Sequence, residues 1–546
     1  MNKKLYAGLS VCLASSIVVS ACSDSQQNSA SPDANKEAAS GGPVTVTIFA
    51  PQDPNTDYMT NTFTKLVEEK LNMKIQWTVT PYDAAKEKRK LAISSGDYPD
   101  AFMSQSWVDS FSPSELMKFG QQGVLVPLNK LIDEHAPVLK KNMEAIPYLK
   151  SAVTAPDGNI YGLPPVNECY HCSFPSKMWI NTGWLQKLGL AMPKTTDEFK
   201  KVLQAFKTQD PNGNGKQDEI PLSGANETYG THVTAFLMNA FVYNDDSTYL
   251  DVQNGKLNVA AMQPQWKEGL KYMASLYKEG LIDPGAFTQN ADAFKQLGNR
   301  TDMTLLGAGA GMHPAIFIDI AGNPQQQNYD PVPPLTGPQG VKFATTTPFI
   351  DGFTFVITNK ASKEKQAALI KLADYLASEE GTTLATMGEK GVNWDVASAN
   401  DKDLDGQPAK YVPLQRPKGE KPLNNKWGEI GSFLKTKDYR SSWAAPMDIK
   451  DAAGYERRLH EATKLYDGSQ PKEVLPKIIY LDEAANTEAS LMKTNIKKYV
   501  EENMLQFITG AKDIDSSWEA YLAGFKNLNV ERFLQIYQQA YDKMKK

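Results

Sequence analysis

The segment Asp210–Glu219, which reads DPNGNGKQDE, carries oxygen-containing side chains at alternate positions. Such oxygens can converge on one hard cation, Gly215 permits the tight turn, and the main-chain carbonyl of Lys216 can add another ligand. The segment is therefore predicted to bind calcium. It departs from the usual twelve-residue loop because Pro221 occupies position twelve, so the bidentate carboxylate would have to come from Glu219. The alternative is a solvated Asx and Gly turn that binds no metal.

Cys169 and Cys172 form a Cys-x-x-Cys pair with His171 between them. In an oxidising exterior a short-loop disulfide is one interpretation, and a pair of free thiols is the other. A redox centre would require the motif to open a helix, whereas Ser173-Phe174-Pro175 follows it and indicates a loop. A zinc site would require a second pair of ligands beyond the lone His171. Redox catalysis and metal binding at these cysteines are therefore disfavoured.

The glycine-rich segment Gly307–Met312 invites comparison with a dinucleotide-binding loop. That fingerprint would need glycine at position 312, where this chain has Met312. We therefore interpret the segment as a loop that allows close backbone approach at a cleft, with His313 directly after it.

The N-terminus has the pattern of an export signal, with Lys3 and Lys4 followed by the apolar run Leu5–Ala21. The run is short and only moderately apolar, which makes it marginal as a membrane span. Residues 1–21 are therefore predicted to be a signal peptide.

The end of this signal, Val19-Ser20-Ala21-Cys22, resembles a bacterial lipobox, in which the cysteine becomes the acylated N-terminus of the mature protein. Cys22 is therefore the predicted lipidation site, and the alternative is an ordinary secretory cleavage after Ala21. Residues 22–43 are predicted to be the lipidated cysteine and a disordered linker, because Ser23–Pro43 contains no Val, Ile, Leu, Met or aromatic residue.

The formal net charge of the chain is −5. Loss of Lys3 and Lys4 with the signal peptide makes the charge of the mature chain about −7, and no basic run is present. Nucleic acid is therefore not an expected partner.

The mature chain opens with a predicted β-α-β unit. Val44–Phe49 is rich in β-branched residues and indicates a strand, whereas Phe63, Val67 and Leu71 follow helical spacing. Lys74–Thr80 returns to strand character. Such alternation predicts a largely parallel sheet covered by helices.

Further elements are predicted along the chain. A capping box formed by Thr195 and Glu198 places one helix start. Phe353–Thr358 has strand character and precedes a helix predicted over Lys363–Glu379. The part of the chain after about Tyr455 is predicted to be mostly helical.

Three segments occur in an order that resembles the extracellular solute-binding proteins of carbohydrate importers, a family that includes maltose-binding and alginate-binding proteins. Lys88–Phe102 ends in a Gly-Asp-x-Pro-Asp turn and a strand, Ser176–Leu190 resembles the start of the second lobe, and Pro348–Gly391 resembles the crossover back into the first. The resemblance extends over nearly the whole mature chain.

The resemblance implies an α/β fold with two lobes, the periplasmic-binding-protein-like fold of class II, with discontinuous lobes and a ligand cleft between them. Lobe 1 is expected to comprise residues 44–165 and 345–395. Lobe 2 is expected to comprise residues 166–344 and 396–546, and it would contain the calcium loop.

The alginate-binding relatives imply a ligand set for the calcium ion, which would be structural. The expected ligands are Asp210, Asn212, Asn214, the carbonyl of Lys216, Asp218 and Glu219.

Sugar recognition needs aromatic faces for the apolar sides of the rings and a few polar groups for the hydroxyls. Trp107 lies beyond the Gly-Asp-x-Pro-Asp turn, and Glu227 and Tyr229 lie in a segment that lines the cleft in maltose-binding relatives. Trp394 follows the crossover helix, and His313 follows the glycine-rich segment. For each of these residues the alternative is a packing role.

These expectations describe a lipid-anchored receptor on the outer face of the cell membrane. It would bind an oligosaccharide without changing it, act as a monomer, and deliver the sugar to the membrane subunits of an ABC permease. The alternatives are an extracellular carbohydrate-active enzyme, since glycosidases also combine aromatic clefts with carboxylates, and a sugar-sensing lipoprotein without a transport role.

Overall fold

The structure is a computed structural model that describes residues 42–226, 230–245, 247–350, 352–417 and 420–544. One compact unit spans Pro43–Lys546. In the described part of the chain, no helix combines the length and the apolar character that crossing a membrane requires.

The unit alternates strands and helices. The strands are β1 Val44–Gln52, β2 Met73–Pro81, β3 Ala101–Met103, β4 Val166–Asn167, β5 Met178–Asn181, β6 Ile220–Ser223, β7 Leu250–Gln253, β8 Lys256–Val259, β9 Leu306–Ala310, β10 Tyr329–Val332, β11 Phe355–Ile357, β12 Trp394–Val396, β13 Tyr411–Pro413 and β14 Leu434–Lys435.

The α-helices follow the same numbering along the chain. They are α1 Thr62–Lys70, α2 Tyr82–Ser95, α3 Pro113–Gln121, α4 Asn129–His135, α5 Pro137–Ala145, α6 Leu149–Val153, α7 Thr182–Leu188, α8 Thr196–Thr208, α9 Val233–Met238, α10 Pro264–Lys278, α11 Ala291–Gly298, α12 Lys363–Leu376, α13 Glu379–Thr386, α14 Lys437–Arg440, α15 Tyr455–Lys464, α16 Glu483–Thr509, α17 Ile514–Asn527 and α18 Val530–Met544.

The first lobe is built on a sheet in the order β11-β3-β1-β2. β1 pairs in parallel with β2 and β3, so the predicted β-α-β unit at the start of the mature chain is confirmed. β11 returns from the other lobe and pairs antiparallel with β3. The core of this lobe joins the buried faces of these strands to helices that include α12.

The second lobe is built on a sheet in the order β10-β5-β9-β6. Only the β6–β9 pair of this sheet is parallel, whereas β5 pairs antiparallel with β9 and with β10. The expectation of a largely parallel sheet is therefore wrong for this lobe. The reason is that β5 runs against the direction of both its neighbours, β9 and β10, which a pattern of alternating elements does not reveal.

The glycine-rich segment that was interpreted as a loop is mostly the buried central strand β9. A Cβ atom on Gly307 would lie 2.5 Å from Cδ2 of Phe206, and one on Gly309 would lie 3.0 Å from Cε1 of Phe317. Glycine is needed at these two positions because aromatic rings pack directly onto the strand.

Two predicted helices are present with small differences. The capping box of Thr195 and Glu198 opens α8 as expected. The helix predicted to reach Glu379 stops at Leu376, because the side chain of Ser378 caps the separate helix α13. The C-terminal part is helical in α15 to α18, with a non-helical stretch before α16.

The segment before β14 packs with the first lobe. Trp427 Nε1 donates to Thr64 Oγ1 at 2.7 Å, and the Trp427 ring lies edge-on to Phe63 with centroids 4.8 Å apart. Trp427 and Ile430 are both part of the first lobe's core. Residues 396–546 were expected in the second lobe, whereas Trp427 and Ile430 of this range pack in the first lobe's core.

Helix α16 gives the two lobes a further connection. Its first residue, Glu483, forms an ion pair with Lys118 of α3 at 3.0 Å, and Tyr480 just before it donates to the carbonyl of Ala152 at 3.1 Å. The rest of α16 packs in the second lobe, where Met492, Ile496 and other residues join the core.

Candidate functional site

The two lobes meet where three chain segments cross between them. β4 and β14 pair in parallel, with Val166 opposite Leu434 and Asn167 opposite Lys435. The third crossing adjoins them, because the amide of Asn167 donates to the carbonyl of Phe349 at 3.2 Å. These crossings form a floor between the lobes, which is where a two-lobe protein can close on a ligand.

A first cavity of about 640 Å³ lies beside this floor. It takes residues from two of the crossings and from α14 and α15. Its lining residues are Glu168, Tyr170, His171, Phe349, Leu404, Asp405, Lys437, Arg440, Ser441, Glu456, His460, Lys464 and Asp467.

A second cavity of about 720 Å³ shares Leu404, Arg440 and Glu456 with the first. It has a more aromatic wall, since the rings of Tyr439 and Trp443 lie 6.1 Å apart along it. Its lining residues are Met387, Asn400, Asp401, Lys402, Leu404, Val412, Pro413, Gln415, Glu429, Lys435, Tyr439, Arg440, Trp443, Ala444, Ala445, Pro446, Met447, Ala453 and Glu456.

The carboxylate of Glu456 joins the two cavities. Its Oε1 lies 2.7 Å from Nη2 of Arg440 and 3.2 Å from Nδ1 of His171. Burial opposes ionisation, but the hydrogen bonds and positive charges of His171 and Arg440 outweigh it and lower the pKa of Glu456 to about 2. Arg440 also donates to Oδ1 of Asn167 at 3.1 Å, so this polar chain reaches the hinge floor.

A second ion pair lies in the other cavity. Nζ of Lys435, on the crossing strand β14, lies 2.5 Å from Oε1 of Glu429. The Lys435 side chain is 10% exposed and the Glu429 side chain 26% exposed. Two ion pairs, Arg440–Glu456 and Lys435–Glu429, thus lie at the floor of the site.

The Cys-x-x-Cys segment forms one wall of the first cavity. Cys169 and Cys172 are joined in a disulfide, which agrees with one of the two interpretations of the pair. The two sulfurs and a ring nitrogen of His171 lie close enough together to bind a metal ion, but both sulfurs are used in the disulfide. Tyr170 donates to Asp467 Oδ2 at 2.6 Å, and Lys177 donates to the carbonyl of His171 at 2.7 Å. The turn is therefore held at both residues that face the cavity.

One of the predicted sugar-contact residues, Trp107, is exposed, and two others lie outside the described chain. Trp107 follows β3 and is 60% exposed, which leaves its ring available to a ligand. Glu227 and Tyr229 lie outside the described residues, so their predicted contacts stay predictions.

His313 lies just beyond β9, with its ring 6.3 Å from that of Tyr455. Its Nδ1 is buried and has no hydrogen-bond partner in the described structure. Burial, helped by the positive charges of His171 and Lys177, lowers the pKa of His313 to about 4. His313 is therefore a neutral ring next to the first cavity at ordinary pH.

The side chain of Trp394 is buried against other aromatic rings. Its ring packs against those of Tyr411 and Trp443, with centroids 5.1 Å and 5.9 Å away, and its Nε1 donates to the carbonyl of Gly388 at 2.8 Å. The ring is 9% exposed. The structure thus favours the packing alternative for Trp394 over a ligand contact, and Trp443 is the member of this cluster that lines a cavity.

The predicted calcium loop is folded around its own side chains. Asp210 accepts from the amides of Gly213, Asn214 and Gly215 at 2.9–3.0 Å. Gly213 and Gly215 have φ values of 78° and 77°, which side-chain-bearing residues adopt at a cost. Asp218 accepts from the side-chain amide of Asn214 at 3.0 Å. The loop thereby brings its carboxylates and amides together.

Glu219 tests whether this loop fits a cation. The residue is 8% exposed, and its Oε2 is buried without a hydrogen-bond partner in the described structure. Burial raises the pKa of Glu219, and the negative charges of Asp210 and Asp218 raise it further. A buried carboxylate oxygen without a partner, close to two other carboxylates, fits a hard divalent cation.

Several residues of the cavities were not predicted from the sequence. Arg440, Glu456, Glu429 and Lys435 come from segments with no motif of their own. No local pattern marks them, because their position at the floor depends on the pairing of β14 with β4, which the sequence does not reveal.

Comparisons with known proteins bear on this arrangement. Residues 56–383 match the family described as bacterial extracellular solute-binding protein, which is more than half of the chain. The chain belongs to this family. The two lobes with crossing segments are accordingly the periplasmic-binding-protein-like fold, which confirms the predicted fold class.

One relative matches from end to end. The fructooligosaccharide ABC transporter substrate-binding protein FusA of Streptococcus pneumoniae serotype 4 is 29% identical over 99% of both chains. The structure of FusA in complex with kestose is similar to this chain, with a TM-score of 0.75, over 92% of this chain and 99% of that one. An EF-hand mutant of FusA in complex with fructo-nystose is similar to the same extent, at 28% identity.

Two more distant relatives are named for acidic polymers. The polygalacturonan/rhamnogalacturonan-binding protein YtcQ of Bacillus subtilis strain 168 is 24% identical over 61% of this chain and 63% of its own length. The alginate-binding protein AlgQ2, solved without calcium ion, has a TM-score of 0.67 at 24% identity, over 92% of this chain and 98% of that one. At this identity the likeness to AlgQ2 concerns the fold alone.

Proposed function

We propose that this protein is the substrate-binding component of an ABC importer and that it captures an oligosaccharide outside the cell. The observation that carries the proposal is the end-to-end similarity to FusA, a protein named for fructooligosaccharide binding and solved with kestose. The two cavities at the hinge floor support it, since each combines aromatic rings with polar groups, as sugar sites require.

The mechanism we propose is closure of the lobes around the sugar. Contacts from both lobes to one ligand stabilise a closed form that the free protein populates poorly. Bending would occur at the crossings near Asn167, Phe349 and Lys435, with α16 following along the side of the lobes. The membrane subunits of the permease would then receive the closed form. No covalent step is required.

The sugar would lie across the hinge floor and between the facing ends of the lobes. Trp107 would supply an exposed aromatic face from the first lobe, and Tyr439 and Trp443 would supply rings at the floor. His313, Glu227 and Tyr229 remain proposed contacts from the second lobe. Hydroxyl groups would bond to the carboxylates and the guanidinium of the two cavities.

We further propose that the loop in the second lobe holds a structural calcium ion. The side chains of Asp210, Asn212, Asn214, Asp218 and Glu219 and the carbonyl of Lys216 would hold it. The ion would neutralise the carboxylates and pin the loop between α8 and β6. The buried free oxygen of Glu219 and the EF-hand mutant of FusA support this assignment.

The location we propose is the outer face of the cell membrane, with a monomeric protein anchored through an acylated Cys22. Cys22 and the linker lie outside the described residues, so this proposal depends on the lipobox pattern alone. Labelled palmitate should enter the full-length protein in its host, and Cys22→Ser should abolish both the label and membrane association. Equal labelling of the two proteins would overturn the anchor.

A binding experiment tests the proposed function. The mature protein is titrated calorimetrically with kestose, inulin-derived oligomers, malto-oligosaccharides and oligogalacturonates, and each sugar is then recovered for mass analysis. Binding of a neutral oligomer that is recovered intact is the expected result. Cleavage of the bound sugar would favour the enzyme alternative, and loss of sugar uptake on deletion of the gene would distinguish an importer from a sensor.

A further inference from the structure

The floor of the two cavities is crowded with charges, and the signs of these charges nearly balance. Among the described residues that line them, six carboxylates face five Lys and Arg side chains. The acidic members are Glu168, Asp401, Asp405, Glu429, Glu456 and Asp467, and the basic members are Lys402, Lys435, Lys437, Arg440 and Lys464. Net charge therefore gives no attraction for an anionic ligand.

Two of these cations, Lys435 and Arg440, are each paired with a carboxylate. The side chain of Lys435 is 10% exposed and lies 2.5 Å from Glu429, and that of Arg440 is 19% exposed and lies 2.7 Å from Glu456. Arg440 also donates to Asn167, so both of its Nη atoms have a partner within the protein. Lys464 is paired outside this set, with Glu461 at 2.8 Å, whereas Lys402 and Lys437 form no ion pair with the described residues.

This pairing bears on which sugar the site can accept. A uronate carboxylate that enters a cavity loses its water and must be compensated by a cation that is free to bond with it. Lys435 and Arg440 cannot do so without leaving Glu429 or Glu456 unpaired. Neutral hydroxyl groups meet no such obstacle, because they can donate to the same carboxylates while the ion pairs persist.

We propose that Glu429 and Glu456 are specificity-determining residues, which neutralise Lys435 and Arg440 and so weaken the binding of acidic oligosaccharides relative to neutral ones. The inference rests on the proposed function and deepens it by naming the class of sugar. A relative named for polygalacturonan could differ from this chain by leaving the cations that correspond to Lys435 and Arg440 unpaired.

The test compares one neutral and one acidic trisaccharide, kestose and trigalacturonate, on the wild-type protein and on the double variant Glu429→Gln/Glu456→Gln. Glutamine keeps the shape of the side chain and removes the charge. The ratio of the two affinities should shift toward trigalacturonate by at least about tenfold, which is about 1.4 kcal/mol. The gained binding should weaken as salt is raised from about 0.05 M to about 0.5 M.

Two further variants provide the controls. Glu488→Gln removes an exposed carboxylate that pairs with Arg532 on the distant C-terminal helices, and it should leave the ratio unchanged. Adding Lys435→Gln to Glu429→Gln should cancel the gain that Glu429→Gln gives alone. If circular dichroism shows that the Glu429→Gln/Glu456→Gln variant folds poorly, the comparison of Glu429→Gln with Glu429→Gln/Lys435→Gln decides the test.

The outcomes separate the two proposals. If the wild-type protein binds no oligosaccharide of the panel, the proposed function fails. If it binds a neutral sugar but the variants gain no acidic binding, only the specificity assignment is overturned. A wild-type protein that prefers trigalacturonate to kestose also overturns it.

Discussion

The loop Asp210–Glu219 and the hinge-floor cavities both concentrate carboxylates, but they are assembled over different distances along the chain. In the loop, Asp210 and Asp218 are bonded to amides that lie three to six residues away. In the cavities, Arg440 joins Asn167 to Glu456, so one side chain links the hinge to a late helix.

This difference separates what the two regions can do. The loop can respond to a cation with little change elsewhere, because most of its polar bonds are internal. The cavities depend on the crossings between the lobes, so a sugar bound there would be coupled to the relative position of the lobes. Stability should therefore respond mainly to the loop, and ligand affinity mainly to the cavities.

Calcium should have the largest effect, and it should act on stability. At a concentration about a hundred times its Kd, an ion that binds only the folded state adds about 2.7 kcal/mol. Calcium should thus raise the Tm of the wild-type protein by several degrees, and EDTA should reverse the rise. Glu219→Gln should remove most of it, since the buried oxygen Oε2 has no other partner in the described structure.

The control for calcium is Asp302→Asn, which removes an exposed carboxylate paired with Arg300 outside the loop. It should leave the calcium-dependent rise in Tm intact. Sugar affinity measured with and without calcium should agree within about threefold, or less than 1 kcal/mol. A larger dependence would show that the two regions are coupled and would break the contrast between them.

The disulfide should have the next largest effect, and it should act on both stability and sugar affinity. Opening a loop this short releases about 2 kcal/mol of chain-entropy stabilisation. Cys169→Ser/Cys172→Ser should lower the Tm and also weaken sugar binding several-fold, because Tyr170 and His171 face the first cavity from this turn. A reductant should reproduce both losses in the wild-type protein and change nothing further in the variant.

Arg440→Gln should act on affinity with little effect on stability. The variant loses the ion pair with Glu456 and the bond to Asn167, and it leaves a half-buried carboxylate with His171 as its remaining partner. A loss of about tenfold in sugar affinity is expected, at the low end for a partly exposed pair. The matched control, Arg532→Gln, breaks an exposed pair on α18 and should leave affinity unchanged. A fall in Tm without a change in affinity would place Arg440 outside the ligand site.

The same contrast explains how far the sequence could predict this molecule. The calcium loop and the first β-α-β unit were predicted because their residues are neighbours in the chain, where spacing carries the information. Glu456 and Lys435 were not predicted, since nothing near them in sequence indicates that β4 and β14 will bring them together. Trp394 shows the same limit, because composition cannot distinguish an aromatic residue that packs from one that lines a cavity.

A pH titration provides the smallest predicted effect, and a variant of His313 shows how much of it belongs to that histidine. The pKa of His313 is lowered to about 4 from a usual 6.5, so the unfolded chain binds this proton first as the pH falls. Stability should therefore fall below pH 6.5, by about 1 kcal/mol over the first pH unit. Glu456, with a pKa of about 2, loses its contribution only below its usual 4.5. Since burial also lowers the pKa of His232 and His460, His313→Asn should reduce this fall without abolishing it. Equal slopes for the variant and the wild-type protein between pH 6.5 and 5 would mean that His313 is reached by water, as expected if the ring belongs to an open cleft.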